Sequence, residues 1–327
     1  MGLGLSLPNR GVLFGAISVQ ELFDLSKIAD ESAVFDSVWV GDSLLAKPRL
    51  ESVATLSAIA ARTRRVRLGT ACMASFVYRN PIIFAIQWAT LDVISGGRAL
   101  FCGCMGASGG SGMGVAAHEV KAMQFRPHER VARFEEGVQI VRQLWNGERA
   151  THRGTFYAYE DVTIEPRPVQ RPMPLWIAND PNMDEPELAR RQCERVARLA
   201  DGWMTNGGPT PAVFAARWAL LSRCLQEAGR DPGTFPTSYH MMINIHPDAG
   251  KAWNDGVNFL TKYYGRMDEE FIKIWLAAGP AEEVARRIQE YIDAGCRLPI
   301  LRFAAWDAPA QIRRFLDDVY PRLRVSA

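Results

Sequence analysis

Along the chain, short apolar runs alternate with longer segments in which apolar residues return every three or four positions. Val66, Leu68 and Ala71 form one run and Leu100, Phe101 and Cys102 another. Each is bounded by Arg and Gly, as expected of parallel strands covered on both faces. Between them Ile82, Ile83, Ile86, Thr90, Leu91 and Ile94 recur at helical spacing, with Pro81 at the helix start and Gly96-Gly97 at its end. The stretch reads as one βαβ unit, whose crossover needs a helix of this length.

The same alternation covers the rest of the chain. Strands are predicted at Gly2 to Leu7, Ser37 to Gly41, Pro174 to Ala178, Asp201 to Thr205, Ser238 to Asn244 and Leu298 to Phe303. Helices are predicted at Val19 to Val34, Leu50 to Arg62, Arg130 to Trp145, Arg190 to Leu199, Pro211 to Ala228, Ala249 to Tyr264 with a further helical segment behind it, 280 to 294, and Ala308 to Leu323. Eight alternations argue for the α/β class and a (β/α)8 TIM barrel, with residues 1–327 as a single domain.

Two pieces exceed a minimal barrel. Residues 149–165, with Gly154 and alternating Thr, Phe and Tyr, predict a β-hairpin before the fifth barrel strand. Residues 106–127 open on the glycine run Gly106 to Gly114 as they leave the fourth strand. That run reads either as a flexible linker or as a lid ordering over a bound molecule. Active sites of such barrels sit at the strand C-termini, so the second reading has functional weight.

Composition narrows the chemistry. Hydrophobic residues make up 48% and charged residues 23%, which suits a globular enzyme and excludes disordered and fibrous classes. The 38 basic and 36 acidic side chains are interspersed, so no nucleic-acid surface is expected. No apolar run reaches the length of a membrane span and no signal-peptide pattern opens the chain, which predicts a cytoplasmic protein with reduced thiols. No His-Glu-x-x-His or Cys-x-x-Cys occurs, so no metal site is expected, and the one Gly-x-Ser-x-Gly match, Gly106 to Gly110, falls inside the glycine run, so a serine hydrolase is not expected either. Only six lysines occur and none falls at a predicted strand end, which disfavours a Schiff-base aldolase.

Taken in order, several segments resemble the bacterial-luciferase-like family of flavin- and deazaflavin-dependent oxidoreductases. They are Ser6-Leu7-Pro8-Asn9-Arg10, Phe35 to Ser43, Arg79-Asn80-Pro81, and Thr90 to Arg98 leading to Cys102-Gly103-Cys104-Met105-Gly106. Leu144 to Gly147, His152 to Tyr157, Pro166-Arg167-Pro168 and Ala200 to Trp203 continue the series. The resemblance implies a cofactor, FMN or the deazaflavin F420, held across the strand ends. It places a non-proline cis peptide at about Ala71-Cys72, the ring along Met105 and Gly106, and the phosphate near Ala178, Asn179 and Gly207. Asp180 is a poor neighbour for a phosphate unless it points away. Met105 stands where some members place a basic residue, so the ring's charge partner is unassigned.

The candidate catalytic residues are Asp42, Cys104 and His118. Asp42 follows the second strand, where luciferases carry a histidine pair, and reads equally as a loop cap. Cys104 reads as a reactive thiol or as an apolar filler, and His118 as a pocket or a solvated residue. Trp39, Phe76 and Tyr78 are candidates for the substrate pocket or for barrel packing. The expected activity is oxygenation of a small organic substrate by reduced FMN and oxygen, with a partner reductase or reduction in place. F420-dependent hydride transfer and a noncatalytic flavin-binding barrel are the alternatives. A homodimer is expected from the resemblance and from apolar positions on the early helices.

Overall fold

A computed structural model describes residues 2–106, 113–147, 149–205 and 207–324. Eight parallel strands close on themselves: β1 (Gly4–Leu7), β2 (Ser37–Val40), β3 (Arg67–Thr70), β4 (Ala99–Gly103), β7 (Leu175–Ala178), β8 (Gly202–Thr205), β9 (Thr237–Ile245) and β11 (Leu298–Phe303). Closure is made by β11 against β1, with Gly4 opposite Ile300. The expected barrel is present, and its helices separate successive strands. The expected hairpin is β5 (Ala150–Arg153) against β6 (Ala158–Val162).

The βαβ signature explains itself locally. Helix α3 (Pro81–Ser95) starts where the Asn80 side chain accepts the Ile82 and Ile83 amides, and it ends on Gly96 at φ 68°. Gly97 at φ 84° continues the left-handed turn that a side chain would resist. Arg98 then spends its guanidinium on the carbonyls of Ala60, Thr63, Val66 and Ser95 and on the Thr63 hydroxyl.

Three elements depart from expectation. The loop after β4 contains helix α4 (Met113–Ala122), and residues 107–112 of the glycine run lie outside the described residues. Behind α8 (Ala249–Tyr264) and α9 (Glu269–Trp275) the chain forms a ninth strand, β10 (Leu276–Gly279), paired with the upper half of β9. The final helix, α11 (Ala308–Arg314), gives way to wider and tighter turns through Arg322.

The core has two compartments. Outside the barrel, Phe76, Phe84, Phe101 and Phe134 pack edge to face or tilted between β4 and its covering helices, at centroid distances of 5.0–5.5 Å. Inside, Trp39, Trp176, Leu100, Cys102, Met204 and Ile300 fill the barrel. Among the described residues, no helix is long and apolar enough to cross a membrane.

Candidate active site

A cavity of about 330 Å³ opens at the C-terminal ends of the strands. Gly41 and Asp42 after β2, and Ala71 and Cys72 after β3, form one side; His240 on β9 and Arg302 on β11 form another. Tyr264, Phe271 and Trp275, from α8 and α9, wall it from above. The peptide Ala71-Cys72 is cis, at the bond expected.

Arg302 is 1% exposed. Its Nε and Nη2 donate to the Ser6 hydroxyl oxygen at 3.1 and 2.7 Å, Nη2 also to the Leu7 carbonyl at 2.9 Å, and Nη1 to the Tyr264 hydroxyl at 3.2 Å. Because guanidinium can only donate, the Ser6 oxygen accepts twice and its own O–H is left for His240 Nε2, 3.1 Å away. His240 is therefore neutral, with its remaining proton on Nδ1. Burial first, and then the nearby Arg302 and Arg49 charges, hold its pKa well below the usual histidine value. Trp275 Nε1 fixes the same stretch of β9 by donating to the His240 carbonyl at 2.9 Å.

Lys47 and Arg49, in the loop after β2, also line the cavity, and Arg10 lies beside them. Lysine thus does reach the strand ends, through a loop rather than a strand. Burial, with Arg10 and Arg49 nearby, pushes the Lys47 pKa down. Its ammonium lies 5.6 Å over the Tyr264 ring. Arg49 donates from Nε to the Lys47 carbonyl at 3.0 Å. Its guanidinium passes over Gly41, where a Cβ would collide with it.

Asp42 is the one carboxylate facing this cavity among the described residues, and it is already engaged. Its Oδ2 accepts the Ser75 amide at 2.7 Å and its Oδ1 the Ser52 hydroxyl at 2.8 Å, with Arg79 Nη2 at 3.6 Å. The loop-cap reading describes this geometry: Asp42 ties the turn after β2 to the one after β3.

His118 lies on the exposed side of α4, away from the cavity, because its neighbour Glu119 takes the buried side. Glu119 Oε2 accepts the Leu45 and Ala46 amides at 2.6 and 2.9 Å, pinning α4 to the loop after β2. Cys104 bonds the Cys72 thiol, and that bond together with burial pushes the Cys72 pKa well up. A raised thiol pKa is the opposite of the lowered one that makes cysteine nucleophilic. Met105 packs partly buried against the core, and Gly106 turns at φ 70° beside Ala74.

Trp39 is barrel packing: its indole crosses Gly4 and Gly69 and donates to Ser37 Oγ at 2.8 Å. Phe76 belongs to the aromatic cluster outside the barrel, since it stands on the turn that faces α3 and α5 (Arg130–Trp145). Tyr78 packs edge-on against Phe125 at 4.8 Å, and burial, Glu119 and Cys104 push its hydroxyl up to about 12.

On the side expected to take a phosphate, Ala178 closes β7 and the Asn179 side chain donates to the Gln192 carbonyl at 3.2 Å. Asp180 points inward, where its Oδ1 accepts from the Thr205 hydroxyl, the Gly207 amide at 3.2 Å and Arg217 Nη1 at 3.2 Å. Its carboxylate occupies donors that the resemblance offers to a phosphate.

A cavity at the strand ends of an eight-stranded parallel barrel, beside a non-proline cis peptide, defines a barrel enzyme. The luciferase-like monooxygenase family matches residues 1–270, and the chain belongs to that family. Curated relatives include proteins named F420-dependent glucose-6-phosphate dehydrogenase. That of Microbacterium testaceum is 28% identical over 93% of each chain, and that of Kineococcus radiotolerans 26% identical over 93% of this chain and 95% of its own. Similar solved structures include the monooxygenase RslO1 from Streptomyces bottropensis, with a TM-score of 0.82 and 24% identity over 98% of this chain and 99% of that one. An F420-dependent secondary alcohol dehydrogenase bound to an F420-acetone adduct gives a TM-score of 0.79 and 20% identity over 99% of both chains. These structures share the fold, and the chain is an oxidoreductase of the luciferase-like type.

Proposed function

We propose that the protein is an F420-dependent dehydrogenase or reductase, in place of the expected oxygenation by reduced FMN. What supports this reading is full-length similarity to relatives named as F420-dependent dehydrogenases, on a chain whose strand-end cavity is walled by cations. F420, when bound, supplies a carbon that exchanges hydride without oxygen.

The ring end of the cavity suits a flat heterocycle. Ala71, Cys72 and Ala74 present backbone and small side chains on one wall, which leaves room for close approach. The phosphate end does not suit it as it stands, because Asp180 holds the donors there, and no step is assigned to those residues. Phe271 and Trp275 shield the opening and limit water, which strengthens charge interactions inside. Burial, and then the Arg10 and Arg49 charges, lower the Lys47 pKa, so Lys47 is the cavity group suited to exchange a proton with substrate, while His240 Nε2 is engaged by Ser6.

Titration of the purified chain with F420, FMN and reduced FMN, followed by fluorescence quenching, tests the assignment. Preferential F420 binding is the expected result. Preferential FMN binding with substrate-dependent oxygen uptake would restore the monooxygenase, and cofactor binding without turnover of any substrate would favour the noncatalytic barrel.

A further inference from the structure

Arg302 is a buried charge without a counter-charge. Buried charges are normally paired, because removing an ion from water costs several kcal/mol even after relaxation. Among the described residues no carboxylate forms an ion pair with Arg302, Arg49, Lys47 or Arg10. The partners of Arg302 are hydroxyls and a carbonyl, the Tyr263 hydroxyl among them; they satisfy hydrogen bonds but carry no full negative charge. Arg49 contributes a second guanidinium whose Nη atoms have no protein acceptor among the described contacts, and Gly41 leaves the space that lets it sit there. Asp42, the nearby acid, is spent on Ser52, Ser75 and Arg79.

We propose that the cavity takes a small organic anion as substrate, with its carboxylate, sulfonate or phosphate group bound between Arg302 and Arg49. The missing counter-charge is then the ligand's own, which makes binding depend on an anionic group whatever the rest of the molecule is. Guanidinium groups suit this role, because they stay charged and present paired donors to planar or tetrahedral oxyanions. The substrate assignment rests on the cofactor reading above, whereas the anion site itself does not.

The test is calorimetric titration of inorganic phosphate, and separately acetate, into the full chain with and without bound F420. At least one anion is expected to bind in both forms. Losing a charged hydrogen bond should weaken it about tenfold or more in R49Q, and G41A should weaken it by displacing Arg49. R302K, checked for native circular dichroism, should weaken it as well. Tighter phosphate than acetate would indicate a phosphate ester, and the reverse a carboxylate. No anion binding, binding unchanged in R49Q and G41A, or anion displaced by F420 would overturn the proposal. If anions bind as expected and F420 does not, the cofactor reading fails while the anion site stands.

Discussion

His240 is held neutral by its hydrogen-bonding arithmetic: Ser6 must accept from Arg302 and donate to Nε2. The folded ring resists a proton that the unfolded chain accepts below about pH 6.5. Unfolded molecules then bind more protons than folded ones, so this residue lowers stability as pH falls below that value and contributes nothing above it. The limiting slope is about 1.4 kcal/mol per pH unit. Thermal unfolding between pH 7 and 5 should be less pH-sensitive in H240Q than in the parent; equal slopes would contradict a neutral buried imidazole. Such residues are poorly legible in sequence. Arg302 interrupts an otherwise apolar predicted strand, and a charge inside a buried strand was the available signal. His118 and Glu119 are adjacent in the same loop, and only packing decided that the carboxylate, rather than the imidazole, turns inward.

At the scale of elements, the signature between β3 and β4 proves to be construction rather than chemistry. Asp92, buried on α3, accepts the Gln170 amide at 2.9 Å, the Gln170 Nε2 at 2.7 Å and the Ala99 amide at 3.3 Å, so one carboxylate joins helix, strand and the loop before β7. Removing it leaves buried donors unpaired, at about 1–3 kcal/mol. D92A should melt several degrees lower without altering anion affinity at Arg49, and an unchanged melting temperature would contradict this. Glu119 performs the same service for α4. In E119A, hydrogen exchange should accelerate at Leu45 and Ala46 and along 117–122, whereas protection equal to the parent would show that α4 docks without it. The barrel strands and most helices were legible because apolar periodicity is strong where an element is buried on a defined face. β10 was not, since Leu276-Ala277-Ala278-Gly279 is short and poor in strand-forming residues, and it exists only because β9 is long enough to offer a second edge.

For the whole molecule, a near-neutral net charge hides a local imbalance. Basic and acidic residues nearly cancel over the chain, yet the cavity gathers Lys47, Arg49 and Arg302 against a single engaged aspartate. Interspersed charge in sequence says nothing of which loops converge, and here loops after β1 and β2 meet β11 only because the barrel closes. The cis peptide was anticipated through family resemblance, whereas the cationic wall depends on tertiary placement. Hydride transfer to or from F420 in this cavity is the proposed activity. Its most direct test is F420 redox turnover by the purified chain, read from the deazaflavin's visible absorbance, with a panel of sugar phosphates, carboxylates and secondary alcohols under argon and under air. Substrate-dependent turnover at equal rates in both atmospheres, lost in R49Q for anionic substrates at low concentration, is the expected result. Activity that requires FMN and consumes oxygen, with no change in F420, would contradict it.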